Sequence, residues 1–204
     1  MGIPVKQFPN LRPKTYEELR TEIKSGDLLL CQGSGIFSQM IQKVSNSVWS
    51  HVAFIMRLDE IDRIMVLESV EPIGVRTVPL SHYVRDYKNK KGYPGKLLIA
   101  RHDDFAGVTE KALNRMAAFA IDRFGYPYDK DEIAKIAARI TLGLFGRKKG
   151  KASWDEEYIC SEYAWECYRS VGIDVPYDDM GFIAPKHFAA AGKVKAVAAV
   201  KVEK

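Results

Sequence analysis

The sequence predicts an α+β fold, a small and mainly antiparallel sheet packed against helices, in a single domain spanning residues 1–204 with a helical insertion at about 106–151. Three observations carry that expectation. Short apolar runs bounded by turn residues come first, at Leu28–Cys31, Val52–Met56, Ile64–Val70 and Leu97–Arg101. Amphipathic helical stretches follow from Thr109 to about Val171, and an alternating run closes the chain from Val194. Blocks of strands, then helices, then a strand describe α+β better than strict βαβ alternation. At 204 residues and 47% hydrophobic content the chain can bury one sizeable core.

In order, Thr15-Tyr16-Glu17-Glu18 is a capping-box pattern that opens a short helix through Leu19 and Ile23, stopped by Gly26. Asp27-Leu28-Leu29-Leu30-Cys31 reads as a buried strand. After the bend Gly33-Ser34-Gly35, the spacing of Ile36, Phe37, Met40, Ile41 and Val44 predicts a helix. Gly33-Ser34-Gly35 is too short for a dinucleotide fingerprint, since no GxGxxG follows. His51–Met56 and Ile64–Val70 flank the polar turn Asp59–Arg63 and predict a hairpin. Alternation places His51, Ala53 and Ile55 on one face. Counting back from the turn sets Glu68 or Ser69 opposite His51.

Thr109 caps a helix carrying Leu113, Met116, Ala120 and Phe124, closed by Gly125. Beyond Tyr126-Pro127-Tyr128-Asp129, a second helical stretch aligns Ile133, Ile136, Ala137, Ile140 and Leu144 in an apolar stripe. The basic run Arg147, Lys148, Lys149 and Lys151 follows at once, so this segment is a candidate for peripheral contact with a membrane surface. A later helix runs to about Val171 and stops at Gly172. It starts either at Cys160 or at the second capping-box pattern, Ser153-Trp154-Asp155-Glu156, which would put Cys160 two turns inside. Val194, Ala196, Ala198, Val200 and Val202 alternate with lysines as an exposed strand does.

Cys160 is the residue that points to chemistry. A thiol at the start of a helix sits in a positive field that favours the thiolate. His51 heads one strand and Glu68 lies on the next, so thiol, imidazole and carboxylate are all present for a cysteine hydrolase. The histidine precedes the cysteine, the reverse of the papain order. A core role for the thiol competes with this, because Cys160 shares a helical stripe with Ala164, Cys167 and Val171. His82, His102 and His187 read as surface or capping histidines.

Three cysteines, Cys31, Cys160 and Cys167, form neither an even disulfide framework nor a CxxC pair, and neither metal nor cofactor is expected. The net charge of +5 comes without an arginine-rich arm or finger spacing, which leaves nucleic-acid binding without support. Met1-Gly2-Ile3-Pro4-Val5-Lys6 has no apolar signal region, and no later run approaches the roughly 20 residues of a membrane span. The chain as given is expected to be cytoplasmic unless an export signal has been removed.

These residues resemble the circularly permuted branch of the papain-like NlpC superfamily, which is related to lecithin:retinol acyltransferases. The features that carry the resemblance are Gly26-Asp27-Leu28-Leu29, Ser50-His51-Val52, Glu68, Tyr126-Pro127-Tyr128-Asp129 and Cys160-Ser161-Glu162, in that order over about residues 26–188. The resemblance implies Cys160 as nucleophile, His51 as base and Glu68 as the residue that orients it. It also implies a thioester intermediate with a peptide amide as substrate, such as a peptidoglycan fragment. A lipid acyl hydrolase or acyltransferase could use the same thiol, and a ligand-binding module without turnover could keep the same fold. The stretch from about Ala106 to Lys151 has no counterpart in minimal members, and no wall-binding repeat accompanies the domain.

Overall fold

The unbroken apolar run Leu28-Leu29-Leu30-Cys31 forms a central strand because both of its faces are covered, leaving all four side chains without exposure. In the computed structural model, residues 2–87, 91–129, 158–177 and 182–203 are described. Among them, β1 (Pro13–Lys14), β2 (Leu28–Gly33), β3 (His51–Leu58), β4 (Arg63–Val70), β5 (Gly74–Pro79), β6 (Gly95–His102) and β7 (Val194–Val200) make one sheet. Its order is β1-β7-β6-β2-β3-β4-β5. Every pairing is antiparallel except the short parallel contact of β1 with β7. The fold is thus α+β and mainly antiparallel, with a sheet wider than the small one expected from sequence.

The helices are α1 (Tyr16–Leu19), α2 (Ile36–Ser45), α3 (Leu80–Arg85), α4 (Glu110–Ile121), α5 (Cys160–Arg169) and α6 (Pro185–Ala190). One sheet face, carrying Leu28, Leu30, Val52, Phe54 and Leu67, packs against Met116 of α4, Tyr163 and Cys167 of α5 and Phe188 of α6. The other, carrying Leu29, Cys31, Ala53, Ile55 and Val66, is covered by Tyr16 and Leu19 of α1 and by Leu80, Tyr83 and Val84 of α3. The predicted capping box of α1 is present, with Glu18 N–H donating to Thr15 Oγ1 and Thr15 N–H to Glu18 Oε2. Thr109 caps α4 by accepting from Ala112 N–H.

Several features differ from the sequence reading: α1 ends at Leu19, short of the expected Ile23, and β1 and α6 were not anticipated. β7 is not an exposed strand: it lies between β1 and β6, and Ala198, Ala199 and Val200 are buried in succession. The pairs Ile99↔Ala198 and Ala100↔Ala196 leave Val197 as an extra residue, a bulge that breaks the alternation. β5 and α3 were not anticipated, although Val75, Thr77 and Val78 form a β-branched run between turn-forming Gly74 and Pro79. The apolar stripe of Ile133 to Leu144, its basic run and the Ser153 capping-box pattern lie outside the described residues, as does most of the second half of the expected insertion.

Candidate active site

β3 begins at His51, and its neighbour Ser50 fixes that start. The Ser50 hydroxyl accepts from Gly33 N–H at 2.9 Å and donates to the Cys31 carbonyl at 3.1 Å, locking the end of β2 to the head of β3. Cys31 pairs with His51 across that ladder. On the other side the register Phe54↔Leu67 has a constant sum of 121, so extending it sets Ala53, not His51, opposite Glu68. Glu68 therefore shares His51's face and reaches it diagonally, one pleat further along than a direct pair.

Glu68 has no solvent exposure, and each of its carboxylate oxygens is engaged. Oε2 lies 2.7 Å from His51 Nε2 and accepts from the Tyr83 hydroxyl at 2.5 Å. Oε1 accepts from Arg76 Nε at 3.0 Å, with a second guanidinium nitrogen at 2.9 Å. Arg76 is Glu68's direct cross-strand partner on β5. Burial alone would raise this carboxyl's pKa, but the hydrogen bond to His51, the imidazolium charge, Arg76 and Tyr83 together hold it below the ordinary carboxylate value. Burial likewise opposes a charge on His51. The negative charge of a Cys160 thiolate and a hydrogen bond to it outweigh that, with Glu68 adding to them, and raise His51 to about 10. With Nε2 committed to Glu68, Nδ1 is the ring nitrogen left for Cys160.

Cys160 is the first residue of α5, following Ile159 in an extended conformation. The start of the helix is held on both sides. Ser69 Oγ donates to the Tyr158 carbonyl at 2.6 Å, and Ser161 Oγ donates to the Ile183 carbonyl at 2.8 Å. Glu162 also accepts from Ile159 N–H at 3.3 Å, the reciprocal half of a capping box whose other half is missing because isoleucine has no acceptor. The thiol is thus at the positive helix end rather than two turns inside, and α5 packs across β3 and β4 on the face opposite Glu68.

The loop Tyr126–Asp129 closes over the site through β5. Val75 N–H donates to the Tyr126 carbonyl at 2.9 Å, and a Cβ on Gly74, at φ +90°, would fall 2.0 Å from that same oxygen. Only glycine fits there. Tyr128 is thereby placed against Cys160, buried, with its pKa pushed up by that burial.

Two spaces meet at the thiol. One is a cleft of about 310 Å³ reached by His51, Ser34, Ser38, Glu71 and Tyr87, and the other is a smaller apolar pocket under α2. Cys31 and Cys167 are fully buried, and burial pushes both thiols' pKa up. His102 and His187 are capping residues, as expected, but both are buried rather than on the surface. His102 Nδ1 accepts from Asp104 N–H, and His187 Nδ1 accepts from Ala184 N–H. His82 is exposed on α3. The sequence reading brought Cys160, His51 and Glu68 to one place. It missed Arg76 and Tyr83, which hold Glu68, and the role of Ser69, which holds the Tyr158 carbonyl in the extended segment before Cys160.

Comparison with solved structures places the fold. The crystal structure of a metalloprotein, yiiX, from Escherichia coli O157:H7 superposes with a TM-score of 0.60 at 18% identity, covering 86% of this chain and 96% of that one. Among the described residues here, no three His, Cys, Asp or Glu side chains are grouped to hold a metal ion. No curated protein matches the chain. The profile of the permuted papain-like amidase family, YaeF/YiiX, C92, matches residues 22–181, a span that runs from before β2 to beyond α5 and takes in His51, Glu68 and Cys160. Most of the chain lies within that match, and the protein belongs to the permuted papain-like amidases.

Proposed function

We propose that the protein is a cysteine amidase that cleaves an amide bond in a peptide through a thioester on Cys160. The observation that carries the reading is the 2.7 Å contact between His51 and the fully buried Glu68 beside a thiol at a helix start. Glu68 fixes the ring and its tautomer, so the imidazolium is stabilised where it forms. The Cys160 thiolate adds to the substrate carbonyl, and the Cys160 backbone N–H at the positive end of α5 faces the developing oxyanion. His51 gives its proton to the departing amine nitrogen as the C–N bond breaks, leaving an acyl thioester. It then takes a proton from water, which attacks the thioester and releases the acid and the thiolate.

Family membership supports the hydrolase class, and the buried charge network supports the roles of the three residues. The test is trapping: a peptide p-nitrophenyl ester mixed with the protein and quenched within seconds, followed by intact-mass and peptide mapping. An acyl adduct on Cys160, absent in Cys160→Ala and persisting longer in His51→Ala, is the expected result. Ester turnover that survives Cys160→Ala would overturn the reading.

A further inference from the structure

The apolar pocket beside Cys160 has no part in the steps above, and its size is informative. It is lined by Met40, Ile41 and Val44 of α2, by Ile159, and by Phe182 and Ile183 ahead of α6. Three residues that line it carry hydroxyls: Ser45 Oγ donates to the Ile41 carbonyl at 2.7 Å, Ser161 Oγ donates to the Ile183 carbonyl, and Tyr128 stands at the border with the larger cleft. Almost the whole of its wall is carbon, which suits an apolar occupant better than water. The volume is about 30 Å³. That is about twice the 10–15 Å³ that one water needs, whereas a cavity that admits benzene measures about 150 Å³.

Position identifies which half of the substrate enters. Ile41, Tyr128 and Cys160 line both the pocket and the larger cleft, but His51 lines only the cleft. His51 must protonate the departing amine, so the leaving group lies in the cleft and the acyl half on the pocket's side of the sulfur. Resting on the amidase reading, we propose that this pocket is the acyl-side specificity subsite and that it takes an alanine-sized side chain on the residue whose carbonyl Cys160 attacks. A leucine or phenylalanine side chain, or a fatty-acyl chain, exceeds the space between α2 and the start of α6.

The test uses N-acetyl-aminoacyl chloromethyl ketones, in which the thiolate forms an S–C bond at the methylene carbon and chloride leaves with the C–Cl electron pair. The panel carries glycine, alanine, leucine and phenylalanine, with the chloromethyl ketone of a long-chain fatty acid beside them. The rate of adduct formation at Cys160 is followed by peptide mapping. Alanine should react about 4-fold faster than glycine, as burial of one methyl implies, and at least about 10-fold faster than leucine, phenylalanine and the fatty-acyl reagent. Val44→Ala, on a half-buried face of α2, should raise the leucine-to-alanine ratio about 10-fold. Ala184→Val, on the pocket wall at an extended backbone position that accepts a β-branched residue, should remove the preference for alanine over glycine. Equal rates across the panel, or faster leucine, phenylalanine or fatty-acyl reagents, overturn the subsite. The same panel on His51→Ala separates the two claims. Rates that fall without any ordering overturn the pocket alone, whereas an ordered panel unaffected by His51→Ala keeps the pocket and removes the proposed base. No adduct at Cys160 with any reagent overturns both.

Discussion

Glu68 Oε2 lies 2.7 Å from His51 Nε2, although the two residues are not cross-strand partners. The diagonal approach brings the carboxylate to Nε2, the ring nitrogen farther from Cβ, and leaves Nδ1 uncommitted to Glu68. A direct pair one pleat closer would bring the carboxylate alongside the ring instead.

His51→Ala should lower kcat/KM on a peptide amide by about 10²–10⁴. Glu68→Gln should cost less, because the amide still occupies the hydrogen bond to the ring but no longer stabilises the imidazolium. Steady-state kinetics of the two variants rank the roles. Unchanged activity in Glu68→Gln would make Glu68 a strand residue and require another group to orient His51.

Tyr83→Phe removes the hydroxyl that Glu68 Oε2 accepts from, without removing the ring that packs against Tyr87 and Tyr93. A donor to a buried charge contributes about 1.5–3 kcal/mol. Urea unfolding should show a loss of that order, and kcat should fall more than KM rises because the hydroxyl is engaged with Glu68 and acts through it on His51.

His51 also predicts a pH dependence of stability. Its folded-state pKa is raised from 6.5 to about 10, so its contribution is full below 6.5 and is lost as pH climbs through about 10. Glu68 acts in the opposite direction: its carboxyl is held below the ordinary value, so its contribution is present above that value and is lost on acidification. The excess stability of the parent over His51→Gln should therefore shrink between pH 6.5 and 10, as read by urea midpoints. A difference that stays constant across that range contradicts the charged pair.

Much of this was legible in the chain because it rests on local patterns. Thr15 and Glu18 announce α1, Thr109 announces α4, and the apolar runs announce β2 to β4 and β6. The site needed only His51 at a strand head, Glu68 one strand on and Cys160 at a helix start. What was illegible depends on distant partners. The pairing of β1 and β6 with β7 buries a strand whose lysine alternation reads as exposed, and the bulge at Val197 cannot be seen without β6. Arg76 and Tyr83 carry no local mark of their role, which comes from β5 and α3 being folded against a single carboxylate.

The central claim is that His51 activates Cys160, and the three free thiols provide an internal comparison. Iodoacetamide labelling near neutral pH, with peptide mapping over time on the parent and on His51→Ala, tests it most directly. Cys160 should be carboxamidomethylated first and lose about 10-fold or more in rate in His51→Ala, since an unassisted thiol is only a few per cent thiolate at pH 7. Cys31 and Cys167, whose burial pushes their pKa up, should remain unlabelled in the folded protein. Prior modification of Cys31 or Cys167, or a Cys160 rate indifferent to His51, would contradict the account.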